Sequence, residues 1–258
     1  MDGRYLAGPA VKFGKTPHTV EVNVATRSGL FQTIRSKFAA TSGFCLATLN
    51  LDHLSKLPAD PAFLAAYRAH DLIVADGRPV VWLSRIARQP VELMPGSDMI
   101  LPLCWLCSEM EIPIALVGSS DAALAGAASA LTKQIPTLKI AYAHAPPLGF
   151  DPQGPEADAI LAQLSQSGAG LCFVALGAPK QEIFAARGRS QVPAMGFASI
   201  GAGLDFLSGH QQRAPMVMRK MGLEWLWRML QSPARMVPRY AKCFAILPGL
   251  LVQALRQR

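Results

Sequence analysis

The sequence predicts an α/β fold, a mostly parallel sheet with helices on both faces. Three observations carry this. Continuous apolar runs at 44–49, 72–75, 112–117, 171–176 and 195–200 read as strands buried on both sides. Helix-length segments separate them. Three of the runs end in small residues before the next helix: Gly118-Ser119-Ser120, Gly177 to Glu182, and Gly201 to Asp205. Such strand ends are where α/β folds bind ligands.

The elements follow in order. Residues 1–19 are polar and mixed and read as a loosely packed arm. Residues 20–26 alternate and read as a strand, 30–40 as a helix. Strand 44–49 ends in Thr48-Leu49-Asn50, and 61–70 reads as a helix. Asp76-Gly77 stops strand 72–75, and Pro79 suits the first turn of a helix over 80–87. A linker spans 89–96, and Ser97-Asp98 opens a helix with Ser97 as N-cap. Strand 112–117 precedes an Ala-rich helix to about residue 133. Strand 138–143, a loop at 145–149, helix 156–166, strand 171–176, another helix and strand 195–200 complete the body. Residues 215–258 are helical in pattern. The chain divides into a core, 1–210, and a cationic helical appendage, 211–258.

With 258 residues and 51% hydrophobic content, the chain has enough apolar side chains for a sizeable core. The net charge of +8 is not spread evenly. Residues 1–210 hold sixteen basic and sixteen acidic side chains, and 211–258 hold nine basic and one acidic, Glu224. The tail alone supplies the excess, which points to an anionic partner. There bulky residues such as Met216, Met221, Trp225 and Trp227 mix with Lys and Arg, the composition of a helix at a bilayer face; a helix packed on the body fits too. Residues 1–19 contain no apolar core of a signal peptide. No run of about 18 apolar residues occurs; 243–255 is too short and is broken by Pro248-Gly249.

Five cysteines, Cys45, Cys104, Cys107, Cys172 and Cys243, suit a reducing compartment. Cys104 and Cys107 match Cys-x-x-Cys but lie within an apolar run. They read as a buried helix face rather than a redox or zinc motif. Two nucleotide signatures fail. Gly14-Lys15-Thr16 lacks the upstream P-loop glycine, since residue 9 is Pro9. Gly201-Ala202-Gly203 lacks the third glycine of a dinucleotide fingerprint, since residue 206 is Phe206. No Asp-x-Asp holds a metal on a diphosphate, so Arg, Lys, backbone N–H groups and helix ends must meet that charge.

Asp76, at a strand end, suits a general base, a ligand for a hydroxyl, or a helix N-cap. The strand-end residues Gly118, Ser119, Gly177, Gly201, Gly203 and Asp205 outline a nucleotide-sized pocket. Gln181 suits a sugar or base, Lys180 a phosphate. Arg228, Arg235 and Arg239, spaced by seven and four, share roughly one face if the helix is continuous, and Pro233 and Pro238 are placed to bend it. They form a diphosphate clamp or a solvated cationic face.

Several stretches together carry a resemblance. They are Thr48-Leu49-Asn50, Ala75-Asp76-Gly77, Pro95-Gly96-Ser97-Asp98, Leu116-Val117-Gly118-Ser119, Gly177-Ala178-Pro179-Lys180-Gln181-Glu182, the run from Gly201 to Gly209, Arg213-Ala214-Pro215, and Gly222-Leu223-Glu224-Trp225-Leu226-Trp227-Arg228 with Pro233, Arg235 and Arg239-Tyr240. Over about residues 44–240 the chain resembles the bacterial WecG/TagA/CpsF glycosyltransferases (family 26). The resemblance implies a Rossmann-like core and inverting, metal-independent transfer of a hexose-type sugar from a UDP-sugar to a polyprenyl-diphosphate-linked sugar. N-acetylmannosamine, its uronic acid and glucose all remain open as donor sugars. It implies no cofactor and no nucleic acid, and a peripheral place on the inner face of the cell membrane, in a monomer or a homo-oligomer. By the family pattern Asp76 is the general base, and Thr48, Asn50 and Gln181 position substrate. The tail completes the site over the acceptor diphosphate. Arg78 departs from the pattern and suits an acidic sugar or a phosphate. A second reading is a non-catalytic nucleotide- or lipid-binding module anchored by its tail.

Overall fold

The computed structural model describes residues 10–258; the first nine residues of the expected arm lie outside them. A short hairpin, β1 (Val11–Phe13) and β2 (Val20–Val22), precedes α1 (Arg27–Ala39), β3 (Phe44–Leu49), α2 (Leu51–Lys56), α3 (Pro61–Arg68), β4 (Leu72–Ala75), α4 (Arg78–Ile86) and α5 (Gly96–Glu109). Then come β5 (Ile114–Gly118), α6 (Asp121–Gln134), β6 (Ile140–His144), α7 (Pro155–Gln166), β7 (Leu171–Ala175), α8 (Lys180–Gln191), β8 (Gly196–Ser199) and α9 (Gly203–Leu207). Three helices close the chain: α10 (Met216–Met221), α11 (Glu224–Gln231) and α12 (Pro233–Arg256).

Six strands form one sheet in the order β4-β3-β8-β7-β5-β6, and every neighbouring pair is parallel. The continuous apolar runs are explained by cover on both faces. Along β3, Leu46 faces a core built with α1, α5 and α6, while Cys45 and Ala47 face the opposite layer with α2, α3, α7 and α8. All six carboxyl ends therefore lie on one edge. The chain leaves β3 outward to β4, whereas β8 lies on the other side of β3, and a crevice at such a place is where open parallel sheets ordinarily take ligands.

Some boundaries differ from the sequence reading for local reasons. The second strand stops at Val22, because Thr26 caps α1 by accepting from Gly29 N at 3.1 Å. Helix α2 follows β3 at once because Asn50 caps it; six residues are too few to show a helical period. Helix α5 starts at Gly96 rather than at a Ser97 cap, with Pro95 at the N-cap position and no side-chain cap. A Cβ on Gly96 would lie 3.0 Å from Ile200 Cα, so this start is pressed against the end of β8. All five cysteines are buried and unpaired; Cys104 and Cys107 lie in the core on α5, and burial pushes the Cys107 thiol up to about 12. That is an inert, structural position.

The arm is not loose where it is described. Gln253 on α12 and Gln257 at its C-cap serve β1 and the following Gly14 as a surrogate strand. Gly14 N donates to Gln253 Oε1 at 3.0 Å, and Gln253 Nε2 donates to Gly14 O at 2.8 Å. Lys12 N and O meet Gln257 the same way, at 3.3 and 2.8 Å. These amides cover groups that an edge strand otherwise exposes. Replacing both glutamines by Ala is expected to cost about 1–3 kcal/mol, a net value for four hydrogen bonds that water partly replaces. Amide exchange should then accelerate at residues 12–14 while the central strands stay protected, which hydrogen-exchange mass spectrometry reads directly.

Candidate active site

The strand ends bring the candidate residues into one row. Asp76 follows β4, Thr48 and Asn50 lie at the end of β3, and Gly201 and Gly203 follow β8. Gly177, Lys180 and Gln181 follow β7, and Gly118 and Ser119 lie at the end of β5. Four strand spacings of about 4.8 Å make the row about 19 Å long.

Asp76 is half-buried at one end of the row. Its N–H donates to Leu49 O at 2.8 Å. Its carboxylate does not cap α4; the N-cap is Gly77, at φ +87°, with no side-chain hydrogen bond. Instead Asn50 Nδ2 donates to Asp76 Oδ2 at 3.2 Å. Asn50 is oriented by its own cap, because Oδ1 accepts from His53 N at 3.1 Å. With the carbonyl end committed to α2, the NH₂ end is left for Asp76. Loss of water raises the Asp76 pKa above the usual carboxylate value. Asn50 and Arg228 pull it down, Glu224 and Asp98 push it up, and the net direction is upward. Thr48 is buried near the end of β3.

Beneath the row lies a buried polar layer. Gln181 Oε1 accepts from Gly201 N at 3.0 Å, and Nε2 donates to Glu182 Oε1 at 2.7 Å. The Gln181 amide is thus committed to protein at both ends and fixes the turn at Gly201, whose φ is +58°. Glu182 is fully buried, and its Oε2 has no hydrogen-bond partner. Burial raises its pKa to about 7, against the hydrogen bond from Gln181 and the charge of Lys56. His53 Nδ1 meets Tyr67 Oη at 3.1 Å, and burial holds that imidazole neutral, with a pKa of about 4.

At the other end Ser119 stands at φ +59° after Gly118 at φ +117°. A Cβ on Gly118 would lie 2.4 Å from Ala175 O, so glycine is required there for space as well as conformation. Ser119 Oγ donates to Asp205 Oδ1, and Gln211 Nε2 donates to Asp205 Oδ2 at 3.3 Å. The two candidates form one hydrogen-bonded pair. Lys180 is half-buried at the first position of α8.

The three tail arginines do not share one helical face. The chain breaks at Ser232 (φ −147°, ψ 66°), which puts Arg228 on α11 and Arg235 and Arg239 on α12. A count of seven places two side chains together only within one unbroken helix. Arg239 Nε pairs with Asp52 Oδ1 at 2.8 Å, and Lys56 Nζ with Asp52 Oδ2 at 2.7 Å. Burial raises the Asp52 pKa, but these cations outweigh it and hold the carboxyl below its usual value. Arg235 is exposed. Arg228 lies close enough to influence Asp76, pairs with Glu224 at 2.9 Å and sits 5.6 Å from the Phe206 centroid. Arg78 runs against the tail, for a Cβ on Gly222 would lie 2.4 Å from its Cδ. It also lines a groove of about 460 Å³ with Trp82, Arg85 and Glu92.

Sequence reasoning did not single out Asp52, Asp98, Phe206 or Arg213 as site residues. Asp98, Phe206 and Arg213 lie within the matching stretches, whereas Asp52 lies outside them and is picked out only by its pairing with Arg239 and Lys56. Among the described residues no group of three His, Cys, Asp or Glu side chains is arranged to hold a metal ion.

Glu182 gives a signed expectation. Its carboxyl ordinarily titrates near 4.5 and in the fold at about 7. Between those values the folded state binds the extra proton, so this group's contribution to stability falls as pH rises. Glu182→Gln removes that loss. Its stability relative to the unsubstituted protein should rise from pH 5 to pH 8 by up to about 3 kcal/mol, at about 1.36 kcal/mol per unit. Urea midpoints at the two pH values test this; a difference that stays constant with pH would show an ordinary carboxyl.

A model of the glycosyl transferase WecG/TagA/CpsF family matches residues 16–258. The chain belongs to that family and is a glycosyltransferase, acting between a sugar donor and an acceptor.

Proposed function

With that membership as the premise, we propose that the protein transfers a hexose-type sugar from a UDP-sugar to a polyprenyl-diphosphate-linked sugar in surface polysaccharide assembly. Transfer proceeds with inversion and without a metal, at the inner face of the cell membrane. The observation that carries this reading is the Asp76–Asn50 pair at the end of a row of strand termini long enough for a nucleotide sugar. An acceptor hydroxyl beside Asp76 gives its proton to the carboxylate as its oxygen bonds to the anomeric carbon. The bond from that carbon to the diphosphate oxygen breaks on the opposite face, which inverts the centre. A base with a raised pKa works nearer its own midpoint, and burial supplies that shift. The Asn50 amide holds the carboxylate in place. Charge on the departing UDP is met by Lys180 at the start of α8, by strand-end N–H groups and by Arg228. Thr48 shapes the floor beside Asn50, and Gln181 acts through the Gly201 turn.

The tail supports the membrane reading. On α12, Val237, Phe244 and Leu251 recur every seven residues, Leu255 follows by four, and all four are exposed. Arg235, Lys242 and Arg256 are exposed on the same helix. Such a helix lies in the headgroup region, its apolar stripe towards the acyl chains. No helix among the described residues is long and apolar enough to cross a membrane.

Asp76→Asn should lower transfer by about a hundredfold or more, the usual contribution of a positioned base, with the fold intact by circular dichroism. The assay is UDP release with chelator present, using a detergent-solubilised polyprenyl-diphosphate sugar as acceptor; full activity in the variant would refute the assignment. Phe244→Glu with Leu251→Glu should abolish co-flotation with anionic vesicles. Undiminished flotation would place the membrane contact elsewhere.

A further inference from the structure

Phe206 on α9 carries two guanidiniums, with Arg213 Cζ 5.8 Å and Arg228 Cζ 5.6 Å from its ring centroid. The arginines come from different segments, the α9–α10 connection and α11. Each is held by one carboxylate. Arg213 Nη1 pairs with Asp98 in the first turn of α5, and Arg228 Nη2 with Glu224 one turn earlier in α11. Neither pair is fully buried, and exposed pairs of this kind contribute little to folding. A guanidinium has five N–H donors in a fixed fork, so one carboxylate leaves most of them uncommitted. The Arg213 Nε is buried and has no hydrogen-bond partner.

The place matters as much as the chemistry. Phe206 follows Asp205, the partner of Ser119 at the end of β5. Asp98 lies two residues after Gly96, which is pressed on the end of β8. Arg228, Glu224 and Asp98 all influence the Asp76 carboxyl. Phe206 therefore stands one residue from the Ser119 partner, and the arginines on its ring reach the candidate base through Arg228 itself and through Asp98, the partner of Arg213. Two planar forks steadied by one aromatic ring suit two adjoining phosphates, which take paired N–H donors.

We infer that Arg213 and Arg228, set against Phe206, form a diphosphate-binding pair in which Asp98 competes with the ligand for Arg213. The inference rests on the transferase reading above and adds Arg213 to its site. Two diphosphates share the chemistry, that of the UDP group and that of the lipid-linked acceptor.

Calorimetric titration of the full chain with UDP, and separately with farnesyl diphosphate in detergent micelles, tells them apart. Arg213→Gln should weaken one of the two about tenfold or more while uridine binding stays unchanged. Arg213→Lys should recover only part, because an ammonium lacks the fork. Asp98→Asn should bind as tightly as the unsubstituted protein or more tightly. If the ion pair is merely structural, Asp98→Asn loses as much as Arg213→Gln, and the inference is overturned. It is likewise overturned if the unsubstituted protein binds neither probe, or if Arg213→Gln or Arg213→Lys binds both undiminished. Should Arg213→Gln fail to fold, the Lys and Asp98 variants decide. The transferase reading itself stands or falls on the Asp76 assay, so the two failures are distinct.

Discussion

A parallel sheet delivers every strand end to one edge, and each strand must leave that edge within a few residues. Four of the six strands here leave through a left-handed glycine: Gly77 after β4, Gly118 at the end of β5, Gly177 after β7 and Gly201 after β8. Residues with a Cβ pay roughly 1–2 kcal/mol for that conformation. At Gly77, Gly177 and Gly201 a Cβ would meet no close neighbour, so conformation rather than crowding sets the requirement; Gly118 has both. The candidate residues Asp76, Ser119, Lys180, Gln181 and Gly203 stand at or beside these turns, while Thr48 and Asn50 lie at the end of β3.

The short helix α2 couples the remaining parts. Its cap, Asn50, steadies Asp76, and two residues later Asp52 grips Arg239 of α12 and Lys56 of its own last turn. Helix α12 is therefore anchored to the same short helix that orients the candidate base. Asp52 is buried with each oxygen facing a cation, so losing either cation would leave one oxygen of a buried carboxylate unmet. Movement of α12 is thereby coupled to the rim of the site through one carboxylate.

Much of this was legible in the sequence because the relevant signals are local. Strands β3 and β4 sit where their apolar runs place them, and the turns at 118, 177 and 201 announced themselves by composition. Asp76 was visible as a strand-end carboxylate, but the choice between cap and free carboxylate needed the neighbouring strand. What the sequence hid was long-range. Asn50 has two partners, one 26 residues away. Gln181 reads as a substrate-positioning residue, and the sequence does not show that its amide also joins Gly201 to Glu182. The arginine spacing misled because Ser232 breaks the helix it assumes. No periodicity reveals that Arg213 and Arg228 converge on one phenyl ring.

The pairing of α12 with β1 bears on how the chain is dissected. Gln253 and Gln257 lie about 240 residues from their partners in sequence, so the end of the chain closes a very large loop and acts as the outer rung of a small sheet. A chain cut before α12 therefore loses more than one surface helix. It exposes a short, flat strand edge with open donors and acceptors, the kind of surface that recruits a second chain. Loss of solubility in such a truncation would report an uncapped β edge, and loss of activity in it would not by itself locate a ligand contact in the tail.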